Sequence, residues 1–154
     1  MGEEQNRSTR LIVDVMLGRL AKWLRLLGYD TRYDNSADDA TLLRIAQAED
    51  RWLLTRDGPL SRKRGVRTLW IESQELAAQI RQVQAVIGPP ADGKLTRCAV
   101  CNARLVPIDK PDVELQVPPY VFQTQDEFRR CPQCGRIYWA ATHVERMREV
   151  IDGL

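Results

Sequence analysis

The chain contains no run of about 18 apolar residues, the length that a membrane-spanning helix needs. Its opening segment, Met1–Arg10, carries no apolar stretch of the kind a secretory signal requires, so residues 1–10 read as a disordered lead-in and the protein is expected to be cytoplasmic. Cysteine is missing from the first 97 residues; all four, Cys98, Cys101, Cys131 and Cys134, fall in the remainder. In a reducing compartment disulfides are not expected, which turns attention to metal binding. Histidine occurs once, as His143. Charge of one sign is also scarce: the net charge of +2 does not by itself demand a nucleic-acid partner. Lysine supplies only 4 of the 23 basic residues, and the remaining 19 are arginine. Arginine suits bidentate contacts to phosphate, although a genome-wide coding bias gives the same composition. There is no internal repeat and no low-complexity tract.

What remains is 154 residues of globular composition, enough for one domain or for a smaller domain with a mini-domain attached. Leu11-Ile12-Val13 reads as a buried strand ending at Asp14. Leu17, Leu20, Leu24 and Leu27 then repeat at helical spacing up to Gly28, a C-terminal stop signal. Tyr29–Tyr33 is a weaker strand, and a second helix is expected over Asp39–Glu49. Trp52–Thr55 and Thr68–Ile71 are further strands, with a short helix over Leu60–Arg64 between them. A last helix capped by Ser73 carries Leu76, Ile80, Val83 and Ile87 on one face. Strands alternating with helices predict an α/β domain with a parallel sheet covered on both sides. The Gly88–Gly93 stretch reads as a linker. After it come short strand-like pieces around the cysteines and a closing helix near Met147–Ile151.

Cys98-Ala99-Val100-Cys101 and Cys131-Pro132-Gln133-Cys134 are two C-x-x-C pairs with 29 residues between them. That spacing fits a zinc ribbon, in which each pair sits on a tight turn and gives two thiolates to one tetrahedral ion. Gly135, and Asn102 in the other turn, supply the left-handed backbone such a turn needs. With four thiolates no coordination position stays open, so the zinc is expected to be structural. A thioredoxin-like redox pair is the competing reading, but it needs only one C-x-x-C.

Three carboxylates stand out by position. Asp14 ends the first strand, Asp57 follows the third in Leu54-Thr55-Arg56-Asp57, and Asp39 opens the second helix after Asp38. In an open parallel sheet, sites form beyond the carboxyl ends of the strands where the strand order reverses. Acids gathered there repel unless a cation is present, and hard oxygen donors favour Mg²⁺ or Mn²⁺. Asp38 or Asp39 can equally be a helix cap and Asp57 a turn residue. Asp14, directly after a buried strand, needs a partner in any case. Arg56, Arg62, Lys63, Arg64 and Arg67 follow closely, and Arg19, Lys22 and Arg25 recur on the polar side of the first helix. A polyanionic substrate uses such cations, as a solvated surface also does.

The block Val13-Asp14-Val15-Met16-Leu17-Gly18-Arg19-Leu20-Ala21-Lys22-Trp23-Leu24-Arg25-Leu26-Leu27-Gly28 resembles the opening motif of the Mut-seven C-terminal RNase domain family. Ala37-Asp38-Asp39 through Ala46, Leu53-Leu54-Thr55-Arg56-Asp57, the cysteine pairs and Tyr138-Trp139 through Met147 resemble its later blocks. The resemblance implies a PIN-like nuclease domain over residues 11–90 and a zinc ribbon with a terminal helix over 94–154. It implies metal-dependent RNA cleavage with Asp14, Asp39 and Asp57 as the acids, and Asp38 as the alternative to Asp39. Asp34 and Glu72 are candidates for a fourth acid by position. Arg19, Lys22, Arg56, Arg62 and Lys63 are expected at RNA phosphates, with Tyr138, Trp139 and His143 from the ribbon beside them, the first two stacking on bases if exposed. The alternative is a catalytically silent module that binds RNA, or a protein partner through the ribbon.

Overall fold

Leu11, Ile12 and Val13 form β1 (Leu11–Val13), and their side chains alternate between two cores, as the period of a strand requires. The structure is a computed structural model that describes residues 9–90, 92–140 and 149. A 3-10 turn over Val15–Leu17 leads into α1 (Gly18–Leu27). There follow β2 (Thr31–Arg32), α2 (Asp39–Ala48), β3 (Trp52–Thr55), α3 (Gly58–Ser61), β4 (Thr68–Trp70) and α4 (Leu76–Ile87). The four strands pair in parallel in the order β2-β1-β3-β4. Leu11, Val13 and Leu54 pack on one face with Leu20 and Leu24 of α1 and Ile80 and Val83 of α4. Ile12 and Leu53 pack on the other with Leu42 and Ala46 of α2 and Leu60 of α3. The expected parallel sheet with helices on both faces is therefore present.

Some boundaries differ from expectation, each for a local reason. Tyr29 does not join β2, because its N–H continues the helix stop by donating to the Leu24 carbonyl (2.9 Å) while its hydroxyl donates to the Gly88 carbonyl. The short helix begins at Gly58 instead of Leu60, since Asp57 caps it and Pro59 fits its first turn. Ser73 does not cap α4: its hydroxyl accepts the N–H of Glu75 at 3.0 Å, and the helix starts at Leu76 without a side-chain cap. Arg25 departs from the polar stripe expected for the first helix. It is buried, donating from Nε to the Thr31 carbonyl (2.8 Å) and from Nη1 to the Ala99 (3.0 Å) and Val100 (3.1 Å) carbonyls.

The second half is a three-stranded antiparallel sheet, β5 (Val106–Ile108), β6 (Phe128–Arg130) and β7 (Ile137–Tyr138), with α5 (Pro119–Thr124) between β5 and β6. It has a small core of Val113, Val117, Val121 and Phe128. Its cysteine end does not hang free of the first half. Leu95, Cys98, Ala99, Cys131 and Tyr138 belong to the same buried cluster as α1 and β1. The linking chain presses on Gly28, where a side chain would fall 2.3 Å from the Asp92 carbonyl oxygen and where φ is +107°. His143, and the closing helix expected near Met147–Ile151 apart from Glu149, lie outside the described residues, as do residues 1–8 of the lead-in.

Candidate metal and carboxylate sites

The four cysteines meet. Their sulfurs all lie within 4.8 Å of one another, none in a disulfide, and no other group of three or more His, Cys, Asp or Glu among the described residues is gathered closely enough to share an ion. The two turns are built alike. Cys98 N–H donates to the Ala103 carbonyl and Asn102 N–H to the Cys98 carbonyl; in the second turn Cys131 N–H donates to the Arg136 carbonyl and Gly135 N–H to the Cys131 carbonyl, each at 2.9 Å. Asn102 (φ 64°) and Gly135 (φ 80°) take the left-handed conformation expected of them. The N–H of Cys101 points at the Cys98 sulfur (3.4 Å) and that of Cys134 at the Cys131 sulfur (3.5 Å), as charge-stabilising donors to thiolates should. Tetrahedral zinc bound to sulfur at about 2.3 Å requires sulfurs about 3.8 Å apart. Cys98 and Cys134 are 3.7 Å apart, so the donor set fits a structural tetrahedral ion.

The electrostatics of the metal-free thiols are uneven. Burial opposes ionisation of Cys98, but hydrogen bonds from the Tyr138 hydroxyl and the Cys101 and Val100 N–H groups hold it down to about 7. Burial and the neighbouring thiols push Cys101 up to about 12 and Cys131 upward as well. A cation relieves this crowding by taking all four as thiolates.

Asp14 lies at the carboxyl end of β1, beside β3, where the strand order reverses. It is only 5% exposed, and three donors surround it. The N–H of Met16 reaches Oδ1 at 2.9 Å; the Thr55 hydroxyl and the Arg56 N–H (3.3 Å) reach Oδ2. Thr55 Oγ1 also accepts the N–H of Asp57 at 2.9 Å, which ties the two acids together through one hydroxyl. Asp57 caps α3, its Oδ1 accepting the Leu60 N–H at 3.0 Å. Asp38 caps α2 by accepting the Thr41 N–H at 2.8 Å, a bond that lowers its pKa. Asp39 is exposed in the first turn of α2, whose N-terminus follows β2 and so opens at the same edge of the sheet.

The structure thus links Asp14 and Asp57 through Thr55, with Asp39 on the same rim, and the three are not gathered closely enough to share an ion as they stand. Asp34 turns back on Ser36, and Glu72 is exposed beyond β4. Arg19, Lys22, Arg62 and Lys63 are exposed; Arg56 is half-buried and donates to the Ile71 carbonyl at 3.3 Å. Arg67 is tied to Asp50 and lies over the Trp52 ring. Tyr138 does not meet the condition of exposure for stacking on a base: it is 6% exposed, and its hydroxyl accepts the Ala99 N–H at 3.0 Å beside the Cys98 sulfur. Trp139 is half-buried with its ring edge-on to Phe128. Sequence reasoning missed Thr55, whose only signal was a hydroxyl residue closing an apolar strand two places before Asp57.

Comparison with known families matches residues 9–151 to the Mut7-C RNAse domain. No curated protein and no solved structure matches the chain.

Proposed function

The chain belongs to the Mut7-C RNAse domain family, and from that premise we propose that it is a metal-dependent ribonuclease with a PIN-like sheet domain and a zinc-filled cysteine ribbon. The observation that carries the reading is the Asp14–Thr55–Asp57 linkage at the reversal point of a parallel sheet, the position where ligands bind in open α/β folds. Asp14 retains capacity for a cation, because a carboxylate oxygen has two lone pairs and Oδ1 accepts only the Met16 N–H. Asp57 keeps Oδ2 for the same use, and Asp39, on the same rim at the start of α2, would complete the set by closing in on the ion. A Mg²⁺ or Mn²⁺ ion held there would lower the pKa of an attacking water and offset charge on the phosphodiester.

The protein's own groups do the rest. Thr55 fixes the rotamer of Asp14, and burial keeps bulk water from its inner oxygen. Arg62 and Lys63, exposed just after Asp57, hold phosphates of the strand. RNA is the substrate, and the four cysteines hold zinc that shapes the ribbon. The catalytically silent binding module has one observation behind it: Asp57 and Asp38 already serve as helix caps. Asp14→Asn separates the two. A ribonuclease loses cleavage while keeping RNA affinity, because the metal acts mainly in the transition state; a binding module shows no metal-dependent cleavage even in the wild type.

A further inference from the structure

A cleft of about 390 Å³ runs between the outer face of α1 and the cysteine end of the ribbon. Its walls include Lys22 and Trp23 from α1, Val100 from the first cysteine turn, and Arg136, Ile137 and Trp139 from the β7 strand and its flanks. Both charged side chains are cations and both are exposed; no carboxylate lines the cleft among the described residues. A neighbouring cleft of about 480 Å³ is different, since Asp109, Asp126 and Glu127 in its walls balance Lys94, Lys110 and Arg129, and Lys110 is already paired with Asp126. A polyanion is drawn to the first cleft, whereas the charges lining the second cancel.

We propose that the cleft between α1 and the ribbon binds single-stranded RNA, with a base against Trp23 and flanking phosphates at Lys22 and Arg136. The inference rests on the ribonuclease reading and names the form of its substrate. Aromatic faces interleaved with cations are how proteins hold unpaired strands, because every base offers a π-face and every linkage a charge. A duplex offers no free base face to Trp23, since its bases are stacked on one another. The cleft is also placed to feed the acids. Trp23 lies five residues along α1 from Gly18, roughly 8 Å at 1.5 Å per residue, and the N-terminus of α1 follows Asp14 across one turn. Arg19, exposed one turn before Lys22 and Trp23, continues the cationic stripe towards that rim. A strand seated in the cleft therefore passes along α1 to the carboxylates, and the ribbon acts as the second wall of the channel.

The test uses the full-length Asp14→Asn chain and a labelled oligouridylate of about ten nucleotides, a length typical of single-strand sites. Binding is measured against salt for this chain, for the same chain with Trp23→Leu, and for the same chain with Lys22→Gln and Arg136→Gln together. The charge pair lies on the surface and keeps the test valid if Trp23→Leu disturbs folding. The expected result is an affinity loss of about five-fold or more for Trp23→Leu. The charge variant should bind more weakly, with a salt slope shallower by about 1.4, the value for two lost phosphate contacts on a single strand. A duplex of the same length should bind more weakly than the single strand. Unchanged affinity in both variants of a chain whose wild type cleaves RNA overturns the cleft and leaves the ribonuclease reading standing. So does a preference for the duplex, or for an acidic peptide of equal charge. A wild type that neither binds nor cleaves RNA overturns both.

Discussion

Thr55 donates its hydroxyl to the Asp14 carboxylate and accepts the Asp57 N–H at 2.9 Å, so one buried threonine registers two acids from different strands. Thr55→Val keeps the shape and removes both bonds. Leaving a buried carboxylate short of a donor should cost about 1–3 kcal/mol of stability in denaturant melts. Cleavage should fall further than stability explains, and Thr55→Ser should restore both. A Thr55→Val protein as active as the wild type would remove the threonine from the site.

The ribbon and the sheet domain share a core through Leu95, Cys98, Ala99, Cys131 and Tyr138, and Arg25 of α1 donates to two carbonyls of the first cysteine turn. Metal analysis should find one zinc per chain. Cys131→Ser should abolish it and unfold the ribbon, because metal binding supplies most of the folding free energy of such turns. The sequence alone predicted two units, in which case residues 11–87 would stay largely folded. The shared core predicts instead that α1 loses hydrogen-exchange protection along with the ribbon, while β3 and α2 keep theirs.

Asp30 joins the two halves by another route. Its Oδ1 accepts Arg51 Nη1 and Asn102 Nδ2, each at 2.8 Å, and Arg97 lies 3.7 Å from Oδ2. Burial opposes ionisation, but these hydrogen bonds and charges hold its carboxyl below the ordinary value of 3.8. A depressed folded-state pKa adds stability that is fully present above the unfolded value and lost as pH falls through the folded one. Stability of the wild type should therefore drop more steeply below about pH 4 than that of Asp30→Asn. The difference between the two curves isolates Asp30, since acid release of metal is common to both. Parallel curves would contradict the assigned bonds.

Much of this was legible in the chain because it is periodic or discrete. Leu17, Leu20, Leu24 and Leu27 fix a helix by spacing, and two C-x-x-C pairs fix a four-thiolate cluster by count. Even the left-handed backbone at Asn102 and Gly135 follows from turn chemistry. What could not be read is what depends on packing between distant segments. Arg25 has the same spacing as Arg19 and Lys22, yet the ribbon's carbonyls draw it inward. Tyr138 looks like a stacking aromatic, but the burial of Cys98 claims its hydroxyl. The pairing of β1 with β3, which brings Asp14 to Thr55, is a choice of strand order that no local pattern encodes.

The central claim is a cation held by acids at the carboxyl rim. The most direct measurement is a crystal grown with saturating Mn²⁺ and examined for anomalous scattering. The account predicts an ion at the rim, bound by oxygens of Asp14 and Asp57 and reached by Asp39, at about 2.0–2.6 Å. A rim without manganese, with Asp14 keeping only the Met16, Thr55 and Arg56 donors it has now, would contradict it.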